Sequence, residues 1–425
     1  MPKESAFTMD TSAIKFGSGV TREVGQDMLR LGSKRVMVVT DPRLSSSPAV
    51  ETTMNALRDA GVEPVLYDRS RVEPTDQSFR EAIDFAVEGH FDGFVAIGGG
   101  SSMDTAKAAN LYSTWPADFL EYVNPPIGKG TPVPGPLKPL IAIPTTAGTG
   151  SETTGTAIFD LVEMHAKTGI AHRALRPNLG IIDPDHTRSM PQMVAACSAL
   201  DVLSHAVESL TAISYLEREA PQTPAHRPAY QGSNPISDIW AAKAIEMMAA
   251  NIEEAVFNPD NEDARSAMLL ASAYAGIGFG NAGVHLPHGM SYPVSGMVRE
   301  YVPEGYPPEK PIIPHGMSVI LNAPAVFRFT SVASPERHKW ASELLGYPLD
   351  TDDPEEIGEG LAQATIDIMK RVEMPNGLKA VGFSENDVDA LVKGTLPQER
   401  VTKLSPRPAS EADLRNLFLD AMTYW

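Results

Sequence analysis

Apolar residues follow two different rhythms along this chain. From about residue 35 to 182, short apolar runs rich in β-branched residues alternate with stretches in which apolar positions return every three or four residues. Arg35-Val36-Met37-Val38-Val39 opens the series and ends in the turn chemistry of Thr40-Asp41-Pro42. Similar runs follow at 63–67, 93–97, 140–143 and 179–182. Unbroken apolar runs of this length predict strands covered on both faces, as in a parallel sheet. The periodic stretches at about 48–60, at 76–88 and after Gly100 predict the helices that connect them.

Beyond about residue 190 the strand rhythm stops. Periodic stretches at 192–212, 236–257, 260–279 and 355–372 predict long helices, and Asp183-Pro184 and Met190-Pro191 break the chain where the character changes. A length of 425 residues exceeds what one hydrophobic core serves. The expectation is therefore an α/β domain with a parallel sheet over 1–188 and an all-α domain over 189–425. Proline-rich interruptions at 219–235 and 303–314 predict long loops, which compact domains seldom keep without a use.

Composition narrows the function classes. Apolar residues make up 42% and charged residues 21%, ordinary for a globular enzyme, and the formal net charge is −19. That charge argues against nucleic acid and anionic membranes as partners, but does not bear on small anions, which a local basic pocket can bind. No apolar run approaches the roughly 20 residues needed to span a bilayer. Cys197 is the one cysteine, which excludes an internal disulfide and a thiolate metal cage. The start, Met1-Pro2-Lys3-Glu4-Ser5, has neither a hydrophobic signal core nor an Arg-rich transit stretch. A soluble, cytoplasmic protein is expected.

Two glycine-rich turns carry phosphate chemistry. The strand ending at Ile97 runs into Gly98-Gly99-Gly100-Ser101-Ser102-Met103-Asp104 and then a helical stretch. Strand, glycine turn and helix start expose backbone N–H groups and the positive end of the helix dipole to an anion. A tight turn with a serine cap is the plainer reading, but three consecutive glycines exceed its needs. The second cluster, Pro144-Thr145-Thr146-Ala147-Gly148-Thr149-Gly150-Ser151-Glu152, follows another strand and supplies hydroxyl donors where open α/β sheets bind ligands. Asp41 either accepts bonds from a ribose diol, favouring NAD over NADP, or simply closes the turn before Pro42. Lys167 and Leu179 are counted with the cofactor residues.

Metal chemistry is spelled by separated pieces. Asp201 and His205 stand four apart in a small, apolar helical stretch, on one helical face. Such a pair can be a hydrogen-bonded couple or half of a site. His285 and His288 follow in Val284-His285-Leu286-Pro287-His288-Gly289-Met290, and His315-Gly316-Met317 repeats the His-Gly-Met tripeptide. One carboxylate and three imidazoles would hold Fe²⁺ or Zn²⁺ with a position left open for a Lewis-acid role. His90, His165, His172, His186, His226 and His338 lack such settings.

Together these motifs resemble the iron-containing (group III) alcohol dehydrogenases over residues 14–422. The resemblance implies a dinucleotide-binding α/β domain and a helical metal-binding domain, the dehydroquinate synthase-like architecture. It assigns the metal to Asp201, His205, His288 and His315 and leaves His285 out. It implies NAD held at Gly98, Gly99, Gly100, Ser101, Ser102, Asp104, Thr145, Thr146, Thr149 and Ser151, and a homo-oligomer. Val72-Glu73-Pro74-Thr75-Asp76, Arg227-Pro228-Ala229-Tyr230-Gln231-Gly232-Ser233-Asn234-Pro235 and the segment 394–403 are similar to the hydroxyacid–oxoacid transhydrogenase branch. That branch implies oxidation of 4-hydroxybutyrate to succinic semialdehyde, with hydride passing through bound NAD to 2-oxoglutarate. The alternative is an NAD-dependent iron-containing alcohol dehydrogenase with dissociable cofactor. Many members carry histidine four residues after the third ligand; here Tyr292 stands there, a poor base near neutral pH. A substrate carboxylate calls for a cationic clamp, for which Arg400, Lys403 and Lys129 are the candidates.

Overall fold

The computed structural model describes residues 2–164, 166–308 and 310–425, so His165 lies outside the described residues. Two compact units result, Asp10–Ser189 and residues 2–9 with Met190–Trp425. Residues 2–9 thus leave the α/β domain in which the sequence reading places them. The reason is local: Glu4 N donates to Arg218 O at 2.8 Å, and Lys3 bridges Glu219.

The Asp10–Ser189 unit contains β1 (Ala13–Phe16), α1 (Val24–Arg30), β2 (Arg35–Val39), α2 (Pro48–Asp59), β3 (Glu63–Tyr67), α3 (Asp76–Gly89), β4 (Gly93–Gly98) and α4 (Gly100–Thr114). It continues through β5 (Leu140–Pro144), β6 (Thr156–Leu161), β7 (Ala166–Ala171) and β8 (Leu179–Ile182). Six strands form one parallel sheet in the order β1-β8-β5-β4-β2-β3. Alternate residues feed opposite faces. Val36, Val38, Val95, Ile97, Ile141 and Ile143 pack with α1 and α2, whereas Met37, Val39, Phe94, Ala96, Leu140 and Ala142 pack with α3 and α4. Both faces are covered, which is why these strands read as unbroken apolar runs.

The sequence rhythm missed three strands. The edge strand β1 is largely exposed and has no apolar run. The antiparallel pair β6–β7 carries Thr, Asp and Lys among its apolar positions. Chain order reverses between β2 and β4, so their carboxyl ends flank a topological switch point, the usual ligand crevice of such sheets.

The larger unit is helical. Its helices are α5 (Gln192–Thr211), α6 (Pro235–Phe257), α7 (Glu262–Ala282), α8 (Leu286–Gly296), α9 (His315–Ile320), α10 (Ala323–Thr330) and α11 (Pro335–Leu344). α12 (Pro354–Arg371), α13 (Val388–Thr395), α14 (Glu399–Thr402) and α15 (Glu411–Asp420) complete it. Asn234 caps α6 by accepting from the N–H groups of Ile236 and Ser237, with Pro235 in the first helical position. Contrary to the expectation from apolar runs, α5 is long and apolar enough to cross a membrane, but most of it is buried inside the protein. It is the central core helix of this unit.

Candidate metal centre and nucleotide-binding turn

α5 carries Asp201, His205 and Glu208 on one face, at intervals of four and three residues. His288 comes from the first turns of α8 and His315 begins α9. Asp201 Oδ1 lies 3.8 Å from His205 Nε2, 3.8 Å from His288 Nε2 and 3.9 Å from His315 Nε2. One ligand atom from each of the four lies within 4.8 Å of every other. Donors around an ion at ~2.1 Å sit roughly 3.4 Å apart in a tetrahedron, so the Asp–His separations need close by only a few tenths of an ångström.

Two further observations fit a metal. His288 Nε2 is sealed from solvent and has no hydrogen-bond partner among the described residues. Its Nδ1 lies 2.6 Å from Glu208 Oε1, a contact that puts the proton on Nδ1 and turns the Nε2 lone pair toward Asp201. Glu208 is buried, which pushes its pKa up to about 7, and it also accepts from His285 N at 2.6 Å. Burial, with the nearby Arg400 cation second, presses the His288 imidazole down to about 3, so it is neutral and able to ligate. The Phe279 ring stacks on His205 at 3.9 Å and closes one side. His315 is the least buried of the four, its side chain 28% exposed, and marks the open side. Asp201 with three histidines suits Fe²⁺ or Zn²⁺.

His285 stays outside this cluster: its Nε2 meets Thr211 Oγ1 at 2.9 Å. The recurring His-Gly-Met tripeptides have a packing cause as well. A Cβ on Gly316 would meet Cys197 O at 2.0 Å and Asp201 Cβ at 2.9 Å; one on Gly289 would meet Thr402 Cγ2 at 2.5 Å. Each glycine lets its helix close on the segment it touches.

That second contact brings α14 to α8. Arg400 Nη2 donates to Tyr292 Oη at 2.9 Å, one turn beyond His288. The guanidinium also lies 5.2 Å from the centre of the Tyr230 ring and interacts with its side chain, while its Nη1, sealed from solvent, makes no hydrogen bond of ordinary geometry among the described residues. Tyr230, Phe279, Val284, Val401 and Leu404 form one apolar cluster behind it. Lys403 is exposed and is not gathered there. Lys129 belongs to the α/β unit, where it pairs with Glu121 at 2.7 Å on the surface.

In the α/β unit, Gly98 has φ +148° and a Cβ there would meet Ser102 Oγ at 2.7 Å. Gly99 is the N-cap of α4, with no side-chain cap and no acidic residue in the first turn, so the helix start is open to an anion. Thr145 N donates to Gly98 O at 3.0 Å, joining the two glycine–hydroxyl turns. Thr149 packs over Gly100 and Thr146 over Gly99.

Four expected cofactor residues have other partners. Asp104 accepts from Ser151 Oγ at 2.9 Å and Ile158 N at 2.9 Å, and Lys107 Nζ donates to Ser151 Oγ at 2.6 Å. Asp104 and Ser151 therefore fasten the second turn to α4. Lys167 pairs with Glu73 and, at 3.2 Å, with Asp160; burial opposes its charge, but the two carboxylates hold its pKa above the usual lysine value. Asp41 Oδ1 accepts from Arg43 N at 2.9 Å and Leu44 N at 3.2 Å, the plainer turn role, at the switch point. Leu179 is half-buried in β8. Glu208 and Tyr230 were missed as site residues. Glu208 was legible, three residues after His205 on the same face. Tyr230 lies within the branch-like segment 227–235 but has no signal of its own.

The iron-containing alcohol dehydrogenase family model matches residues 11–184, and the C-terminal model of the same family matches 229–422. The chain belongs to this family. It is an oxidoreductase acting on CH–OH groups, and a metal ion is what the family's description brings. It is 56% identical to a hydroxyacid-oxoacid transhydrogenase of Bos taurus over 419 residues, 98% of this chain and 90% of that protein. Among solved structures, a 1,3-propanediol oxidoreductase superposes with a TM-score of 0.85 at 26% identity, covering 98% of this chain and 100% of its own. The sulfoacetaldehyde reductase of Bifidobacterium kashiwanohense, in complex with NAD+, shares the fold with a TM-score of 0.80 at 24% identity, covering 99% of both. The expected cytoplasmic location does not stand, because the mammalian relatives are mitochondrial by name.

Proposed function

We propose that the chain oxidises a small hydroxyacid, 4-hydroxybutyrate to succinic semialdehyde, and that hydride passes through bound NAD to 2-oxoglutarate. The observation that carries this reading is Arg400. It lies in a segment similar to the transhydrogenase branch, contacts Tyr292 one turn from a candidate ligand histidine, and its buried Nη1, beside the Tyr230 side chain, makes no hydrogen bond of ordinary geometry among the described residues.

When bound, a divalent ion, Fe²⁺ by the family's description with Zn²⁺ as the alternative, supplies Lewis acidity to the substrate hydroxyl, and NAD accepts the hydride. The chain's own groups do the rest. Asp201, His205, His288 and His315 would hold the ion, with Glu208 orienting His288. Phe279 and the apolar cluster behind it exclude water. Arg400 binds the carboxylate, and the Tyr292 phenol orients Arg400 instead of serving as a base. The hydroxyl proton leaves through the open side at His315. In the α/β unit, the turn Gly98–Ser102 would hold the pyrophosphate, with the N–H groups of Gly99, Gly100 and Ser101 at the open helix start, and Asp41 would face the ribose. Exposed Leu216, Ile236 and Ile239 offer apolar surface for the homo-oligomer that belongs to this reading.

Arg400→Ala should lower the kcat/KM ratio of 4-hydroxybutyrate to butane-1,4-diol about a hundredfold, as expected when one partner of a buried charged contact is lost. Equal loss on both substrates overturns the reading. Family membership favours one alternative, a dehydrogenase with dissociable NAD. Purified protein given 4-hydroxybutyrate and 2-oxoglutarate without added NAD should turn over; strict dependence on free NAD selects the alternative.

A further inference from the structure

We infer that residues 2–9 form a strap that positions Tyr230, and through it Arg400, so that the strap governs recognition of the substrate's carboxylate and not chemistry at its hydroxyl. The inference rests on the reading of Arg400 given above.

The strap lies along the loop that carries Tyr230. At its start, Ala220 N donates to Pro2 O at 2.9 Å and Glu4 N to Arg218 O at 2.8 Å. The Glu4 carboxylate then takes Arg227 in a two-pronged contact, Nε to Oε2 at 3.1 Å and Nη2 to Oε1 at 3.4 Å. Phe7 sets its ring edge-on to Tyr215 at 4.9 Å. The contact nearest Tyr230 is the most specific. Gln231, 3% exposed, accepts from Thr8 N at 2.8 Å through its side-chain oxygen and donates to Thr8 O at 2.8 Å through its side-chain nitrogen. A buried amide side chain here pairs with a backbone amide as a neighbouring strand would.

Tyr230 is held from the other side by α7. Gln231 N donates to Asn281 O and Gly232 N to Ala282 O, both at 2.8 Å. At Gly283, φ +100°, a Cβ would lie 3.0 Å from Tyr230 Cβ and 2.4 Å from Leu404 Cδ1. The tyrosine is thus fixed between the end of α7 and the strap, with its ring 5.2 Å from the Arg400 guanidinium. Tyr292, on α8, holds another edge of the same guanidinium. Loosening Gln231 therefore lets the ring shift under the cation, while the four metal-ligating side chains, on α5, α8 and α9, keep their own helices. The two segments of branch likeness that meet here, 227–235 and 394–403, act as one device, and the strap is its third member.

The test compares wild type and Gln231→Met, which removes both hydrogen bonds at similar volume, on 4-hydroxybutyrate and on butane-1,4-diol. The expected result is a KM for the hydroxyacid raised about tenfold with kcat within about twofold, and diol parameters within about twofold. Because a buried glutamine can affect folding, Glu4→Gln is the second variant; it should move the hydroxyacid KM about threefold in the same direction. A parallel rise for both substrates, or an unmoved ratio in both variants, overturns the strap. Arg400→Ala run alongside separates the two failures. If it lowers the ratio and neither strap variant does, only the strap is wrong. If Arg400→Ala leaves the ratio unchanged, the reading of Arg400 fails and the strap falls with it.

Discussion

Asp104 in the α/β unit and Asp201 in the helical unit are both carboxylates on helices, largely withdrawn from water, and both gather basic groups. Asp104 is satisfied within the chain: Ser151 Oγ and Ile158 N donate to it, and Lys107 lies 3.7 Å away. The Lys107 ammonium, 0% exposed, is in turn bonded to Ser151 O at 2.8 Å and Thr156 O at 2.9 Å. Burial pushes that lysine down to about 8. Around Asp201 the neighbouring imidazoles stand off at 3.8–3.9 Å, and among the described residues His288 Nε2 is left without a hydrogen bond. A buried polar group without a partner costs free energy. A network that meets its own demands fastens a turn, whereas one that leaves a demand open is built for something added.

This contrast breaks most sharply at the ligands. His205→Ala should lower kcat by about a thousandfold or more and remove bound metal, with the helical signal by circular dichroism kept. Chelation of the wild type should do the same and lower Tm, since an ion that binds only the folded state stabilises it. Full metal content with full activity in His205→Ala would remove the metal centre from the account.

The satisfied network should respond in the opposite sense. Lys107→Met leaves Asp104 and two carbonyls without their cation, and should cost about 3 kcal/mol in a urea melt, with metal content per folded chain unchanged. A loss of metal with no loss of stability would reverse the two roles.

A third, smaller effect sharpens the comparison among histidines. His338 is fully buried, with Nδ1 2.8 Å from Ser334 O and Nε2 2.8 Å from Thr330 Oγ1, and burial pushes its pKa down to about 4. Between about pH 6.5 and 4 the unfolded chain binds a proton that the folded chain refuses, so stability falls as pH falls through that window. The contribution is at most on the order of 3 kcal/mol. His338→Gln should flatten the stability profile there. An unchanged slope would mean that His338 plays no part in acid lability.

Much of this is legible in the sequence. Strands β2, β3, β4, β5 and β8 stood out because both faces of the sheet are covered, so each reads as continuous apolar sequence. β1 did not, because an edge strand buries too little, and the β6–β7 pair did not, because its polar residues interrupt the run. The four candidate ligands were named from residue type, helical spacing and family likeness. Arg400, one of three candidate cations, could not be separated from Lys403, three residues on. That choice was made by Gly289, whose missing side chain lets α14 approach α8 and turns Arg400, not Lys403, toward Tyr292.

The amino-acid order alone determined what is local: the rhythm of strands and helices, the glycine turn ahead of α4, and the one-face placement of Asp201 and His205. Those follow from backbone geometry within a few residues. The folded chain decided which polar groups find partners. Asp104, Ser151 and Lys167 are bound internally and His288 Nε2 is not, because partners 47 to 94 residues away are chosen by packing, which no local pattern encodes.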